Sequence, residues 1–154
     1  MRKSILVQAY GNPGRRDDGL GDAFAQRMER WIVADGLRDI TVDSRFQLNI
    51  EHTAAMAGVD IVVFVDASKG EVESFSFEPV LPGSAHSFTT HSLSPSALLS
   101  LCMELYGKAP LVYLLQIKGY DWEFAEGLSP EAAKNLEKAV IFAVERFTAF
   151  QNQE

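Results

Sequence analysis

Asp60-Ile61-Val62-Val63-Phe64-Val65-Asp66 is the stretch that decides the fold. An unbroken, mostly β-branched apolar run between two aspartates describes a strand buried on both faces. That is the character of a central strand in a parallel sheet covered on each side. Upstream, Ser4 to Tyr10 is a second apolar run, stopped by Gly11-Asn12-Pro13-Gly14, and reads as a buried first strand. Beyond the loop Gly11–Gly19, the residues Leu20, Phe24, Met28, Trp31 and Ile32 recur on one helical face that ends near Asp35-Gly36. Ile40 to Arg45 follows as a strand. Asn49 to Gly58 reads as a short helix with Ile50, Ala54 and Ala57 inward.

Downstream, Val72 to Val80 alternates, with Phe75 and Phe77 on one side. No helix separates it from its predecessor, so it is expected to run antiparallel to that strand. Residues 81–93 form a polar loop carrying His86 and His91. Ser94-Pro95 supplies an N-cap and a first-turn proline to a helix whose inner face is Leu98, Leu101, Cys102 and Leu105. Leu111 to Ile117 is another strand. Ser129-Pro130 opens a last helix with Leu136, Val140, Ala143, Val144 and Phe147 inside. Without a repeat, low-complexity stretch or linker, residues 1–154 are expected to form one domain, a three-layer α/β/α sandwich around a mostly parallel sheet.

The bulk properties narrow the function classes. A net charge of −7 repels nucleic-acid phosphates. The lone cysteine, Cys102, has no partner for an internal disulfide and suits a reducing compartment. Met1-Arg2-Lys3 has the basic start of a signal peptide, but the apolar run Ile5-Leu6-Val7 is too short for a secretory core or a membrane span. A cytoplasmic location is the expectation.

Ligands of open α/β sheets gather at the carboxyl ends of the strands. Asp17-Asp18-Gly19 follows the first strand, Asp66 ends the strongest one, and His91 lies before the Ser94 helix. Two carboxylates and an imidazole make a three-ligand set for a borderline divalent metal. Without a cation the two carboxylates would repel, and one would tend to keep a proton. Each residue also has a plainer reading. An aspartate before a helix is commonly a cap, and Asp66 can hydrogen-bond the next loop. His52, His86 and His91 read singly as exposed loop histidines. Cys102 lies on an apolar stripe and reads as inert packing, while Arg15, Arg16 and Arg45 read as solvated surface.

Gly11-Asn12, Asp17-Asp18-Gly19-Leu20-Gly21, Val65-Asp66-Ala67, His91-Ser92 and the helix start Leu128-Ser129-Pro130-Glu131-Ala132, in this order and spacing, resemble the hydrogenase maturation endopeptidases over nearly the whole chain. The resemblance implies a twisted five-stranded sheet between helices, with one strand antiparallel at an edge. It also implies that Asp18, Asp66 and His91 bind a divalent metal and carry the activity, leaving capping to Asp17 or Asp22. The substrate implied is the precursor of a nickel–iron hydrogenase large subunit. Its C-terminal extension is removed after nickel insertion, and the nickel that arrives with the substrate is the feature recognised. The chain departs from many relatives in carrying Pro13-Gly14 and then Arg15-Arg16 where they have an apolar residue.

Three other functions compete. A nucleotide-binding loop needs Gly-x-Gly-x-x-Gly, which is absent here, and two aspartates stand where phosphates would sit. Peptidyl-tRNA hydrolases share Gly-Asn-Pro-Gly but follow it with a catalytic histidine segment. This chain continues Arg-Arg-Asp-Asp-Gly-Leu-Gly instead. A non-catalytic nickel-binding maturation chaperone is the third. The sequence offers no Ser/His/Asp or thiol/His constellation. For a peptidase, that leaves a metal-activated water or an aspartate general base.

Overall fold

The computed structural model describes residues 2–83 and 93–153. Five strands form one sheet in the order β2-β1-β3-β5-β4. They are β1 (Ile5–Tyr10), β2 (Ile40–Arg45), β3 (Ile61–Ser68), β4 (Phe75–Pro79) and β5 (Leu111–Lys118). The helices are α1 (Leu20–Asp35), α2 (His52–Ala57), α3 (Pro95–Tyr106) and α4 (Pro130–Asn152), with a 3-10 turn at Arg16–Gly19 before α1. Among the described residues no helix is long and apolar enough to cross a membrane.

β3 is the middle strand, parallel to β1 on one side and β5 on the other. Its alternate residues feed two cores. Ile61, Val63 and Val65 pack with Leu20, Phe24 and Met28 of α1 and with Ala139, Ala143 and Phe147 of α4. Val62 and Phe64 pack with Met56 of α2 and with Leu98, Leu99 and Cys102 of α3. A strand with both faces covered has no polar face to offer, which is why the run from Ile61 to Val65 does not alternate.

β4 is antiparallel, as its short connection from β3 suggests. It pairs with β5 at the sheet edge, from Phe75 opposite Ile117 to Pro79 opposite Tyr113, and not with β3 itself. Phe77 stacks on Tyr113 and meets Phe142 of α4 edge-on, so the aromatic pair of β4 covers this end of the sheet.

Both Ser-Pro starts behave as caps: Ser94 Oγ accepts from Ala97 N and Ser129 Oγ from Ala132 N. Other local expectations are corrected. α1 has no side-chain cap, Gly19 standing at its N-cap, so neither Asp17 nor Asp22 caps it. α2 buries His52, Thr53 and Met56, while Ile50 and Ala54 are exposed. Its entry is wound by side chains, with Asn49 N donating to His52 Nδ1 and Thr53 Oγ1 donating to Ile50 O, which turns Ile50 outward. The inner face of α3 runs through Ala97, Leu98, Leu99 and Cys102, leaving Leu105 exposed near the helix end.

Gly21 fixes how closely α1 sits on the sheet. A Cβ there would lie 2.8 Å from Tyr10 O and 2.9 Å from Val65 O, and backbone cannot swing aside as a side chain can. Gly to Ala inside a helix ordinarily gains up to about 1 kcal/mol. Gly21→Ala is expected to reverse that sign and to lower the melting temperature by at least about 4 °C, as followed by circular dichroism. A higher melting temperature would contradict the close approach.

Candidate active site

The carboxyl ends of β1 and β3 and the entry to α3 enclose a cleft of about 470 Å³. Its lining includes Tyr10, Gly11, Asp18, Asp66, Ser94 and Pro95. Two of the three expected site residues, Asp18 and Asp66, therefore face one space. His91 and its substitute His86 lie outside the described residues. Leu93, two positions after His91, is part of the cleft wall. Among the described residues no group of three His, Cys, Asp or Glu side chains is placed to hold a metal.

Asp18 reaches the cleft because the loop after β1 folds back on itself. Gly11 has φ +133°, a region L side chains avoid, and a Cβ on it would collide with the Asp18 carbonyl. Asn12 Oδ1 accepts from Gly14 N at 2.9 Å, closing a small turn. The Asn12 amide in turn donates to Asp18 Oδ2 at 2.8 Å. The Gly-Asn pair thus holds one oxygen of Asp18, and among the described residues the other oxygen has no hydrogen-bond partner.

Asp66 sits one step beyond the Ala9–Val65 pair of the β1–β3 ladder, on the same face as Tyr10. Its Oδ1 accepts from Ala67 N at 2.8 Å, and Tyr10 stands next to it in the cleft wall. Burial pushes the Asp66 carboxyl up to about 7. The Ala67 bond and the neighbouring Tyr10 phenol pull the other way, and the charge of Asp18 adds to the rise. For Tyr10, burial first and then the nearby Asp66 carboxylate hold the phenol well above its ordinary value, so it stays protonated.

Asp17, the neighbour of Asp18, has a different fate. It is fully buried and accepts from Tyr120 N (2.7 Å), Asp121 N (2.9 Å), Ser129 N (2.7 Å) and Ser129 Oγ (2.7 Å). Burial opposes its charge, but these four donors prevail and hold its carboxyl below the usual range. Asp17 thus pins the β5–α4 connection beneath the site. Arg15 is not plain surface either: its guanidinium donates to Trp122 O and lies 4.5 Å over the Phe124 ring. Arg16 pairs with Asp121, whereas the more exposed Arg45 pairs with Asp43.

A second cleft, of about 590 Å³, lies beside β2 and contains Gln8, Asp43, Arg45 and His52. Its carboxylate is already engaged: Asp43 Oδ2 takes Gln8 Nε2 at 2.8 Å and Arg45 Nε at 3.1 Å. His52 is buried there with Nε2 3.9 Å from the same oxygen, which corrects its reading as an exposed histidine. Asp18 and Asp66 each have one oxygen held by a backbone amide and the other without a hydrogen-bond partner among the described residues, which makes their cleft the candidate site.

The comparisons agree with this architecture. The family model described as hydrogenase maturation protease matches residues 41–146, more than half of the chain. The hydrogenase maturation protease HycI from Thermococcus kodakarensis KOD1 superposes with a TM-score of 0.70 at 22% identity, covering 98% of this chain and 94% of its own. The hydrogenase maturating endopeptidase HybD from E. coli gives 0.72 at 18% identity, with 95% and 93% covered. The hydrogenase 2 maturation peptidase from Thaumarchaeota archaeon SCGC_AB-539-E09 gives 0.69 at 17%, with 95% and 99% covered. At these identities the superpositions speak for the fold. No curated relative matches the sequence.

The state of Asp66 has a measurable consequence. Its carboxyl moves from about 4 in an unfolded chain to about 7 in the fold. Between those values the folded state binds the extra proton, so this residue's contribution to stability is greatest at low pH and falls as pH rises through about 7. Asp66→Asn keeps an acceptor for Ala67 N and removes the charge. It should raise the melting temperature of the metal-free protein by about 2–4 °C at pH 8, equivalent to about 1 kcal/mol for a chain this long, and by nothing at pH 4. Equal melting of both proteins at pH 8 would show that the buried charge carries no cost.

Proposed function

The chain belongs to the hydrogenase maturation protease family, and from that premise we propose that it removes the C-terminal extension of a nickel–iron hydrogenase large-subunit precursor once nickel has been inserted. The observation that carries this reading is the pairing of Asp18 and Asp66 in one cleft at the carboxyl edge of the sheet. Asp66, half-buried and near a second carboxylate, is destabilised as an anion and would be relieved by a cation. That donor set fits a borderline divalent ion. His91 supplies the third ligand in this proposal. It is two residues from the cleft wall at Leu93, a span of chain of about 7 Å at most.

Three ligands leave positions open on the ion, so nickel carried in by the precursor can keep its own ligands while it docks. An ion held by Asp18, Asp66 and His91 would supply Lewis-acid polarisation of a neighbouring peptide carbonyl. The chain's own part is to orient the cleavable segment and to move a proton. In the metal-free cleft the Asp66 carboxyl stands near 7 and exchanges its proton with water at neutral pH, and a bound cation would displace that proton. The cysteine has no such role. Cys102 is fully buried in the core under α3, and burial pushes its thiol up.

Affinity that comes from joining two incomplete coordination spheres is absent when the metal is absent. Purified precursor should therefore release its C-terminal peptide when loaded with nickel and not when nickel-free, as read by mass spectrometry. Equal cleavage of both forms would remove nickel from recognition. Asp18→Asn and His91→Ala should abolish release while the proteins stay folded, and unchanged cleavage by either would overturn that residue's role. Cys102→Ser should cleave at the parental rate, and loss of activity in that folded variant would bring back a thiol mechanism.

A further inference from the structure

In a parallel pair every second residue turns both backbone groups toward its neighbour, and the residues between turn theirs away. Ile5 N donates to Asp39 O at 2.8 Å and Gly11 N to Arg45 O at 3.0 Å, one bond at each end of the β1–β2 ladder. Thr41 and Asp43 share that direction, so Ile40, Val42 and Ser44 turn their N–H and C=O away from β1. β2 is the last strand on this side of the sheet, and among the described residues no backbone group meets those of Val42 or Ser44. Val42 faces the cleft of about 590 Å³ instead. It is part of that wall although its side chain packs on the opposite, α1–α4 face, so what it presents there is its backbone edge. We propose that this free edge of β2 binds the C-terminal extension of the precursor as an added antiparallel strand.

An open strand edge is a template for another chain, and main-chain pairing with pockets for alternate side chains is a general way to hold an extended peptide. The direction of β2 gives this edge to the segment beyond the cut. β2 runs parallel to β1 and ends at Arg45, and the next three residues, Phe46, Gln47 and Leu48, line the Asp18–Asp66 cleft. An added strand lies two strand spacings from β1 and three from β3, about 14 Å from Asp66. About four or five extended residues span that gap. The extension leaves the cleft on the far side of the cut bond, so it passes Ser44 before Ile40 and runs opposite to β2. Its side chains opposite Thr41 and Asp43 then enter the cleft that holds Gln8, Asp43 and His52, and those between lie on the other face. The opposite edge of the sheet does not compete. β4 ends in Pro79, which has no N–H to give, and β5 separates it from β3.

This inference deepens the processing reading given above and rests on it, and the experiment keeps the two separate. The peptide that mass spectrometry identifies as released from nickel-loaded precursor is synthesised with a terminal fluorophore, and its binding to the parent chain is followed by anisotropy. A series of the same peptide carries one backbone N-methyl group at each position in turn. Methylation at alternate positions of one stretch is expected to weaken binding about 10-fold, each removing a backbone hydrogen bond. The positions between should bind as the unmethylated peptide does. That period of two belongs to strand pairing and not to recognition of side chains. On the protein, Ser44→Pro removes an outward N–H at a place where an edge strand tolerates proline. Ser44→Ala removes only the hydroxyl that donates to Asp22. Ser44→Pro is expected to raise KM for nickel-loaded precursor about 10-fold with kcat within about twofold of the parent, and Ser44→Ala to keep both. Should Ser44→Pro melt well below Ser44→Ala, the methylated peptides on the parent chain decide alone. Affinities that fall without a period of two, or do not fall at all, overturn the added strand and leave processing intact. A parent chain that elutes as a dimer while Ser44→Pro elutes as a monomer overturns it too, by giving the edge to a second copy. A parent chain that releases no peptide from nickel-loaded precursor defeats the processing reading and this inference with it.

Discussion

The buried carboxylate of Asp17 is the constraint on which the site depends. A charge without exposure is tolerated in a protein interior only when fully hydrogen-bonded, and Asp17 meets that condition with donors from both ends of the β5–α4 connection. Ser129 does two jobs at once. Its Oγ accepts from Ala132 N to cap α4 and donates its proton to Asp17. The loop after β1, the connection after β5 and the start of α4 are thereby one rigid unit. Gly119 makes room for it, since a Cβ there would lie 2.7 Å from Asp17 Cβ.

That unit explains why adjacent aspartates behave so differently. Asp17 and Asp18 sit in a 3-10 turn, where successive side chains are rotated by about 120°. With Asp17 locked inward beneath β5, Asp18 must point elsewhere, and the Asn12 amide receives it at the cleft. Function here is assigned by surroundings and not by residue type. Four strong donors hold Asp17 charged and immobile. Asp66, with fewer donors and a like charge nearby, is left chemically available.

The parts of this arrangement legible in the sequence are those governed by neighbours along the chain. Ile61 to Val65 announces a doubly covered strand because an unalternating apolar run has few other homes, and each Ser-Pro pair announces a helix start by its own hydrogen bonding. Asp18 and Asp66 are recognisable from their places at strand ends. The role of Asp17 was not legible, since its partner Ser129 lies 112 residues away. An aspartate before a helix looks the same whether it caps that helix or anchors a distant loop. The face of α2 was misread for a similar reason. His52 and Thr53 are inward because their side chains bond the loop that precedes them, which apolar periodicity does not report. Tyr10 carried a faint signal, a phenol ending a mostly apolar strand, but only the strand register sets it beside Asp66.

The location of Asp66 follows from what it costs. A carboxyl whose ionisation is opposed by burial destabilises the fold at neutral pH, and such a group persists only where the surrounding structure overdetermines its position. β3 is the strand best able to carry it. Both of its neighbours are parallel strands, both of its faces are packed, and Ile61 to Val65 are almost wholly inaccessible to solvent. The same burial that raises the carboxyl therefore supplies the rigidity that keeps it in place. Moving the residue to an edge strand such as β2 would lower the penalty by exposing it to water. It would also lose the desolvation that makes the group reactive. Placing it at the end of the most deeply packed strand lets one feature of the fold produce both the strain and the means of bearing it.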